Sequence, residues 1–292
     1  FMFSGGMDSF NLVAPKSECG STNLYQQYSD IRGSAALPQS DLLTINASNQ
    51  PCERFGVNKA FPLAQTLYNS NEAMFFANIG VLDEPVTKED WKLKTRTLLF
   101  AHNIQQEEVQ RLDIEKELSE SGVGGRMLDV LKGLGYRTSA NMIGGNARAV
   151  TGSPKDGNPV TQLPRTNPDT FNRMPEVEEM DGLLRSMNSV GQPGSSLFAD
   201  IWSAELVKGI NDTRFMKDIY DDYQVDGFKE GRLNDAFKSI AKWIKSRGDR
   251  DVEREVIFVE HGGYDHHAVT TTNNINTKLA EVNDALNRSW PK

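Results

Sequence analysis

Apolar positions recur along this chain in short clusters separated by long polar stretches, and the spacing within each cluster distinguishes strands from helices. Phe1–Ser4 is an apolar run that stops at Gly5-Gly6, so it reads as a strand ending in a turn that presents Asp8 and Ser9. Ala73–Ile79, Thr138–Ile143 and Glu255–Val259 read as further strands. Helical spacing predicts a helix over Phe61–Ser70, with Pro62 acceptable in its first turn. A charged helix is expected over Gln105–Ser119, with a thin apolar stripe of Val109, Leu112 and Leu118. The next helix carries Met127, Leu128, Val130, Leu131 and Leu134, and others are expected over Phe198–Ile210, Asn234–Ser246 and Asn274–Trp290. In Asn234–Ser246 one face holds Phe237, Ile240, Ala241 and Ile244; in the last helix Leu279, Val282 and Leu286 face inward. Lys16–Glu53 reads as irregular, broken by Pro38 and Pro51, and Thr151–Pro175 as an extended, proline-rich loop.

This alternation of helices and strands points to α/β layering: a central, mostly parallel sheet with helices on both faces. A single domain over residues 1–292 accommodates it, with a long loop insertion at about 144–196. The strands are few for the length, so the sheet is expected to be incomplete towards the C-terminus.

Composition narrows the function. With 38% hydrophobic residues, long polar connections are expected, and a net charge of −8 without a basic block argues against nucleic acid as a partner. No apolar run is long enough to cross a bilayer. The chain starts at Phe1 within a strand-like run, so the expectation is a processed chain or a piece of a longer one. Cys19 and Cys52 could form a disulfide in an oxidising compartment or be two reduced thiols. Sequons at Asn46, Asn211 and Asn287 permit secretion but do not require it.

The histidines concentrate the chemistry. Three of four fall within His261–His267, where a strand runs into Gly262-Gly263 and then an acid flanked by imidazoles. Imidazole and carboxylate are the ligands of zinc and similar divalent ions, and the carboxyl end of a strand is where open α/β sheets place their sites. Asp265 and His267, two apart, would share a side in an extended segment and grip one ion. The plainer alternative is a polar surface loop. Asp8 after Gly5-Gly6 could reach the same ion, or simply bond its own backbone in an Asx turn. His102 before a helix could be a ligand or an acid–base group, or a bystander to a capping Asn103. Arg126, at a helix start, could bind a phosphate or sulfate oxygen or make a surface ion pair.

Five stretches, taken in order, resemble the domain-of-unknown-function family numbered fifteen-oh-one, a sulfatase-like branch of the alkaline phosphatase superfamily. They are Phe3-Ser4-Gly5-Gly6-Met7-Asp8-Ser9-Phe10-Asn11 with Pro15; Phe76-Ala77-Asn78-Ile79-Gly80; Leu99-Phe100-Ala101-His102-Asn103 with Gln106; Gly122-Val123-Gly124-Gly125-Arg126-Met127 with Asp129; and Gly262-Gly263-Tyr264-Asp265-His266-His267. The resemblance implies an alkaline-phosphatase-like sheet sandwiched by helices, and hydrolysis of phosphate or sulfate esters. It implies Asp8, Asp265 and His267 as ligands of a divalent metal; a site holding imidazole favours zinc, with manganese, iron or calcium as alternatives. His102 and Arg126 would contact substrate or support the metal ligands, with Ser9 as the candidate nucleophile. Ala101 stands where the family commonly has Ser, and the later Glu-Phe-Gly-Arg-like and Asp-His-Gly segments do not occur before Lys292. On that comparison the chain holds half a site, and another chain could supply the rest.

Three functions follow as expectations. The first is a secreted, periplasmic or cell-surface hydrolase-like protein acting on a small anionic ester or a sulfated or phosphorylated glycan. The second is an inert structural or assembly subunit of the same fold. The third is a glycan-binding surface, for which Trp91, Trp202, Trp243 and Trp290 would have to form a flat exposed platform; helical spacing around Trp243 argues instead for its partial burial.

Overall fold

The computed structural model describes residues 1–77, 79–82, 84–95, 98–111, 121–155, 157–165, 179–191, 196–266 and 273–289. The strand β1 (Met2–Phe3) leads into a 3₁₀ turn at Ser9–Asn11, β2 (Val13–Pro15) and a hairpin of β3 (Glu18–Cys19) and β4 (Thr22–Asn23). Helix α1 (Leu24–Arg32) and strands β5 (Leu42–Asn46) and β6 (Arg54–Asn58) follow, then α2 (Pro62–Asn69), α3 (Trp91–Lys94), α4 (His102–Arg111) and α5 (Val123–Gly133). Strands β7 (Thr138–Ile143) and β8 (Val160–Gln162) precede α6 (Asp181–Met187), α7 (Leu197–Asp222) and α8 (Arg232–Lys245). The chain closes with β9 (Arg254–His261) and α9 (Asn273–Ser289).

A four-stranded sheet in the order β1-β9-β7-β8 is parallel throughout, with Phe3 opposite His261, Ile143 opposite Val259 and Met142 opposite Gln162. Alternation along its two central strands divides the core. Ala140, Met142 and Phe258 join Leu128 of α5 on one face, whereas Ile143 and Val259 join α8 and α9 on the other. The α/β layering with helices on both faces therefore holds. Leu279 and Val282 of α9 are wholly buried, and burial of each such side chain contributes about 1.5–3 kcal/mol. Leu286 packs against the same cluster, as the periodicity predicts.

A second sheet is not among the expectations, and its β5 lies within Lys16–Glu53, where irregular chain is expected. Strands β2, β6 and β5 form an antiparallel sheet, and its Ile45 and Val57 enter the α8–α9 core. Segments of three to five residues embedded in polar sequence give too short a window for a period-two signal. The Cys19–Cys52 pair is a disulfide that ties the β3–β4 hairpin to the loop ahead of β6.

Other expectations need correction. Ala73–Ile79 contains no strand among its described residues: Met74, Phe76 and Ile79 project into solvent and only Phe75 packs, stacked on Tyr68. Apolar composition alone does not make a strand without a neighbour to complete its hydrogen-bond ladder. Helix α4 begins three residues early, at His102; the expected Leu112 and Leu118 stripe lies outside the described residues. It buries Glu108 and Gln110 and leaves Val109 exposed. The polar pair is accommodated because Arg111 bonds Glu108 and the Gln110 amide oxygen accepts from Ala149 N–H. In α5 only Leu128 of the expected apolar set is deeply buried, because Gly124 and Gly125 make the close contact instead; a Cβ on Gly125 would overlap the Thr151 carbonyl. The buried face of α8 is Leu233, Ala236, Phe237, Ile240 and Trp243, while Ile244 faces outward. Trp243 is buried, as its helical spacing indicates, and so stands apart from any exposed platform; Trp290 lies outside the described residues. The expected insertion contains β8, the edge strand of the parallel sheet, and α6. No described helix is long and apolar enough to cross a membrane.

Candidate functional site

Strands β1 and β9 end side by side, and hydrogen bonds zip the loops that follow them. Ser4 N–H donates to the His261 carbonyl at 3.0 Å, and Tyr264 N–H donates to the Ser4 carbonyl at 3.2 Å. Gly5, at φ +110°, sits so close that a Cβ there would lie 2.7 Å from the Asp265 amide nitrogen. The glycines of the first motif thus have a local cause: only a residue without a side chain lets the two loops touch.

Tyr264 anchors the second loop. It is fully buried, its ring meets Phe3 edge-on at 4.8 Å, and its hydroxyl lies 3.0 Å from His261 Nδ1. The other ring nitrogen of His261, Nε2, lies 3.3 Å from a Glu281 carboxylate oxygen. Burial, followed by the Lys278 ammonium, holds the His261 pKa below its ordinary value, while Glu281 acts in the opposite sense. Burial also pushes the Tyr264 phenol well above its usual range. His261 and Tyr264 are therefore structural partners holding the loop in shape.

The shaped loop carries Asp265 to the surface. His102, the first residue of α4, brings Nε2 to 3.4 Å from Asp265 Oδ2. Its ring rests over the N-terminal turn, where a Cβ on Gly6 would stand 3.4 Å from His102 Cε1. Three segments far apart in sequence thereby meet at the carboxyl edge of the sheet. His266 is turned back, with Nδ1 3.0 Å from the Tyr264 carbonyl oxygen. His267, expected as the third ligand, lies outside the described residues.

The remaining predicted residues are placed differently. Asp8 is two residues from Gly6, but its carboxylate accepts from Phe10 N–H at 3.2 Å and Asn11 Nδ2 at 2.7 Å, and pairs with Arg32. That is the backbone-bonding turn of the plainer alternative, with Arg32 neutralising the charge. Ser9 lies exposed in the 3₁₀ turn. Arg126 donates to the carbonyls of Ser121 at 3.1 Å and Arg111 at 2.6 Å, which braces the junction of α4 and α5. Arg32 and Glu281 escaped sequence reasoning because neither lies in a motif; each is found only by contact with Asp8 or His261.

Among the described residues no group of three or more His, Cys, Asp or Glu side chains stands close enough to hold a metal ion. The pair His102–Asp265 nevertheless has suitable chemistry and spacing. Two donors each about 2.0–2.1 Å from a tetrahedral zinc lie about 3.3 Å apart, close to the 3.4 Å between Nε2 and Oδ2. The chain matches no protein-family model, no curated protein and no solved structure.

Proposed function

We propose that the His102–Asp265 corner is the described half of a metal centre in a hydrolase-like protein acting on phosphate or sulfate esters. It belongs to an alkaline-phosphatase-like fold of the fifteen-oh-one type. The carrying observation is the convergence of the β1 turn, the α4 start and the β9 loop around one imidazole–carboxylate pair. Asp265 and His102 would hold the ion, with His267 as the third ligand; Asp8 would join by exchanging Arg32. A divalent ion held there supplies positive charge against a phosphoryl or sulfuryl oxygen. Ser9, on the adjoining turn, is the candidate nucleophile, and Arg126 contributes through the placement of α4. The disulfide Cys19–Cys52 supports an oxidising location: secreted, periplasmic or cell-surface.

Elemental analysis of the purified chain, stripped with EDTA and reloaded with zinc, tests this directly. Bound zinc is expected in the unsubstituted protein and lost in Asp265→Asn and His102→Ala, with turnover of an aryl phosphate or aryl sulfate following the metal content. Equal zinc in the parent and both variants would remove the assignment.

A second reading, an assembly subunit, is favoured by one observation. Leu197, Phe198, Ile201 and Trp202 crowd the first turns of α7 and are all exposed. Sedimentation velocity on the parent and on Phe198→Ser/Trp202→Ser separates the two, since only an assembly face would shift the distribution.

A further inference from the structure

Beside the metal corner, a second recess opens at the same edge of the sheet. A cavity of about 730 Å³ is walled by the ends of β7, β8 and β9, the first turn of α8, and Lys278 and Glu281 of α9. That volume falls in the range of small-molecule sites, and the carboxyl edge of a parallel sheet is where such sites form. His261, Gly262 and Gly263 of the histidine loop reach its wall, but its arginines lie in no motif that the sequence singles out.

Two arginines converge there. Arg165 follows β8 and Arg232 opens α8; both line the cavity, and among the described residues neither has a carboxylate within ion-pair distance. Burial and then the charge of Arg232 hold Arg165 below its ordinary pKa, partly offset by Glu260, so the two cations feel each other. Arg232 is itself the first residue of the fourteen-residue α8, whose N-cap is Gly231 and which has no side-chain cap bond. Its first-turn N–H groups and the helix dipole favour negative charge.

A second feature points to a ligand independently. Asn234 lines the cavity, is only 7% exposed, and its Oδ1 has no hydrogen-bond partner among the described residues. A buried acceptor without a donor is costly unless something supplies one. The acids Glu230 and Glu260 line the same walls and are acceptors too. Gly144 and Gly145, both at positive φ, keep the backbone clear: a Cβ on Gly144 would overlap the tip of Arg165, and one on Gly145 the carboxylate of Glu260.

We propose that this cavity binds a sugar carrying a tetrahedral oxyanion ester: Arg165, Arg232 and the α8 N-terminus take the phosphate or sulfate, and Asn234, Glu230 and Glu260 take hydroxyls. Arginine forks match such oxyanions bidentately, and the orphan Oδ1 distinguishes a hydroxylated ester from the bare anion. The site uses none of the residues assigned to the metal. Its failure and the failure of the metal centre are therefore separable.

Titration calorimetry on the full chain in EDTA, with glucose 6-phosphate, glucose 6-sulfate, glucose and inorganic phosphate, tests it. At least one ester is expected to bind more tightly than inorganic phosphate, and glucose more weakly than both. The tighter ester identifies the oxyanion. Arg232→Ala, at an exposed position where folding should be unaffected, and Arg165→Ala are each expected to weaken ester binding by about tenfold or more. Asn234→Ala should leave inorganic phosphate within about twofold while removing the advantage of the ester. Absence of saturable ester binding, or unchanged ester affinity in a folded Arg232→Ala protein, would overturn the assignment.

Discussion

His102 Nε2 lies 3.4 Å from Asp265 Oδ2, joining the first residue of α4 to the loop after β9. Neither residue's own element dictates this meeting. It depends on β1 and β9 ending together and on a glycine turn that leaves space for an imidazole. Perturbing the turn should therefore disturb the pair without touching either side chain.

Gly5→Ala is the sharpest such perturbation. A Cβ there meets backbone rather than a yielding side-chain tip, and φ is +110°. Local strain of this kind costs about 1–3 kcal/mol, and overpacking costs a similar amount. Urea denaturation should show a loss in that range, and zinc retention should fall with it. Gly20→Ala, at positive φ but with open space around it, should cost less.

Acidification should weaken the fold through His261. Burial and Lys278 lower its folded pKa, so the unfolded chain, titrating near 6.5, takes up the proton first as pH falls. Proton binding to the unfolded state favours unfolding. The stability held by neutral His261 is complete above about pH 6.5 and declines progressively below it. Thermal unfolding followed between about pH 7.5 and pH 5 should have a steeper pH dependence in the parent than in His261→Gln; parallel curves would refute this role.

Arg250 should resist conservative replacement. Its guanidinium bonds Glu255 at 3.0 Å and the Trp243 carbonyl at 2.7 Å, lies 4.1 Å from the Trp243 ring centroid, and its side chain is 3% exposed. Arg250→Ala leaves Glu255 as a nearly buried, uncompensated acid, which costs about 3–5 kcal/mol. Arg250→Lys should recover little of this, because an ammonium cannot serve both acceptors and stack on the indole. Chemical denaturation midpoints of the two variants provide the measurement.

Reduction should loosen the N-terminal sheet. The Cys19–Cys52 bridge spans 33 positions, and restraint of a loop that long in the unfolded chain contributes roughly 3–4 kcal/mol. Cys19→Ser/Cys52→Ser should lower the unfolding midpoint accordingly. Dithiothreitol should lower the parent towards the double variant and leave the variant unchanged.

What could be read from sequence was what local spacing controls. The period of Leu279, Val282 and Leu286 describes α9 because a helix repeats its face every few residues wherever it packs. Strand β9, running into Gly262-Gly263, was legible for a similar reason, and the glycine turn and histidine loop were recognisable by residue type. The burial of Trp243 followed from its helical spacing, but the rotation of α8 that turns Ile244 outward was not legible, because several apolar residues compete for one face and packing chooses among them. The antiparallel sheet of β2, β6 and β5 was missed because each strand is defined by its partners more than by its own residues.

The same division runs through the sites. Sequence alone identified an imidazole–carboxylate loop, a glycine turn and a histidine at a helix start, all of them properties of neighbouring residues. Only the tertiary structure decided that His102 faces Asp265, that Asp8 is held by Arg32, and that Arg165 and Arg232 share a cavity with Asn234, whose Oδ1 has no hydrogen-bond partner among the described residues. The reason is physical: spacing along a chain governs which way a side chain leaves its own element, whereas charge pairing and desolvation are set by whatever distant segment the fold lays against it.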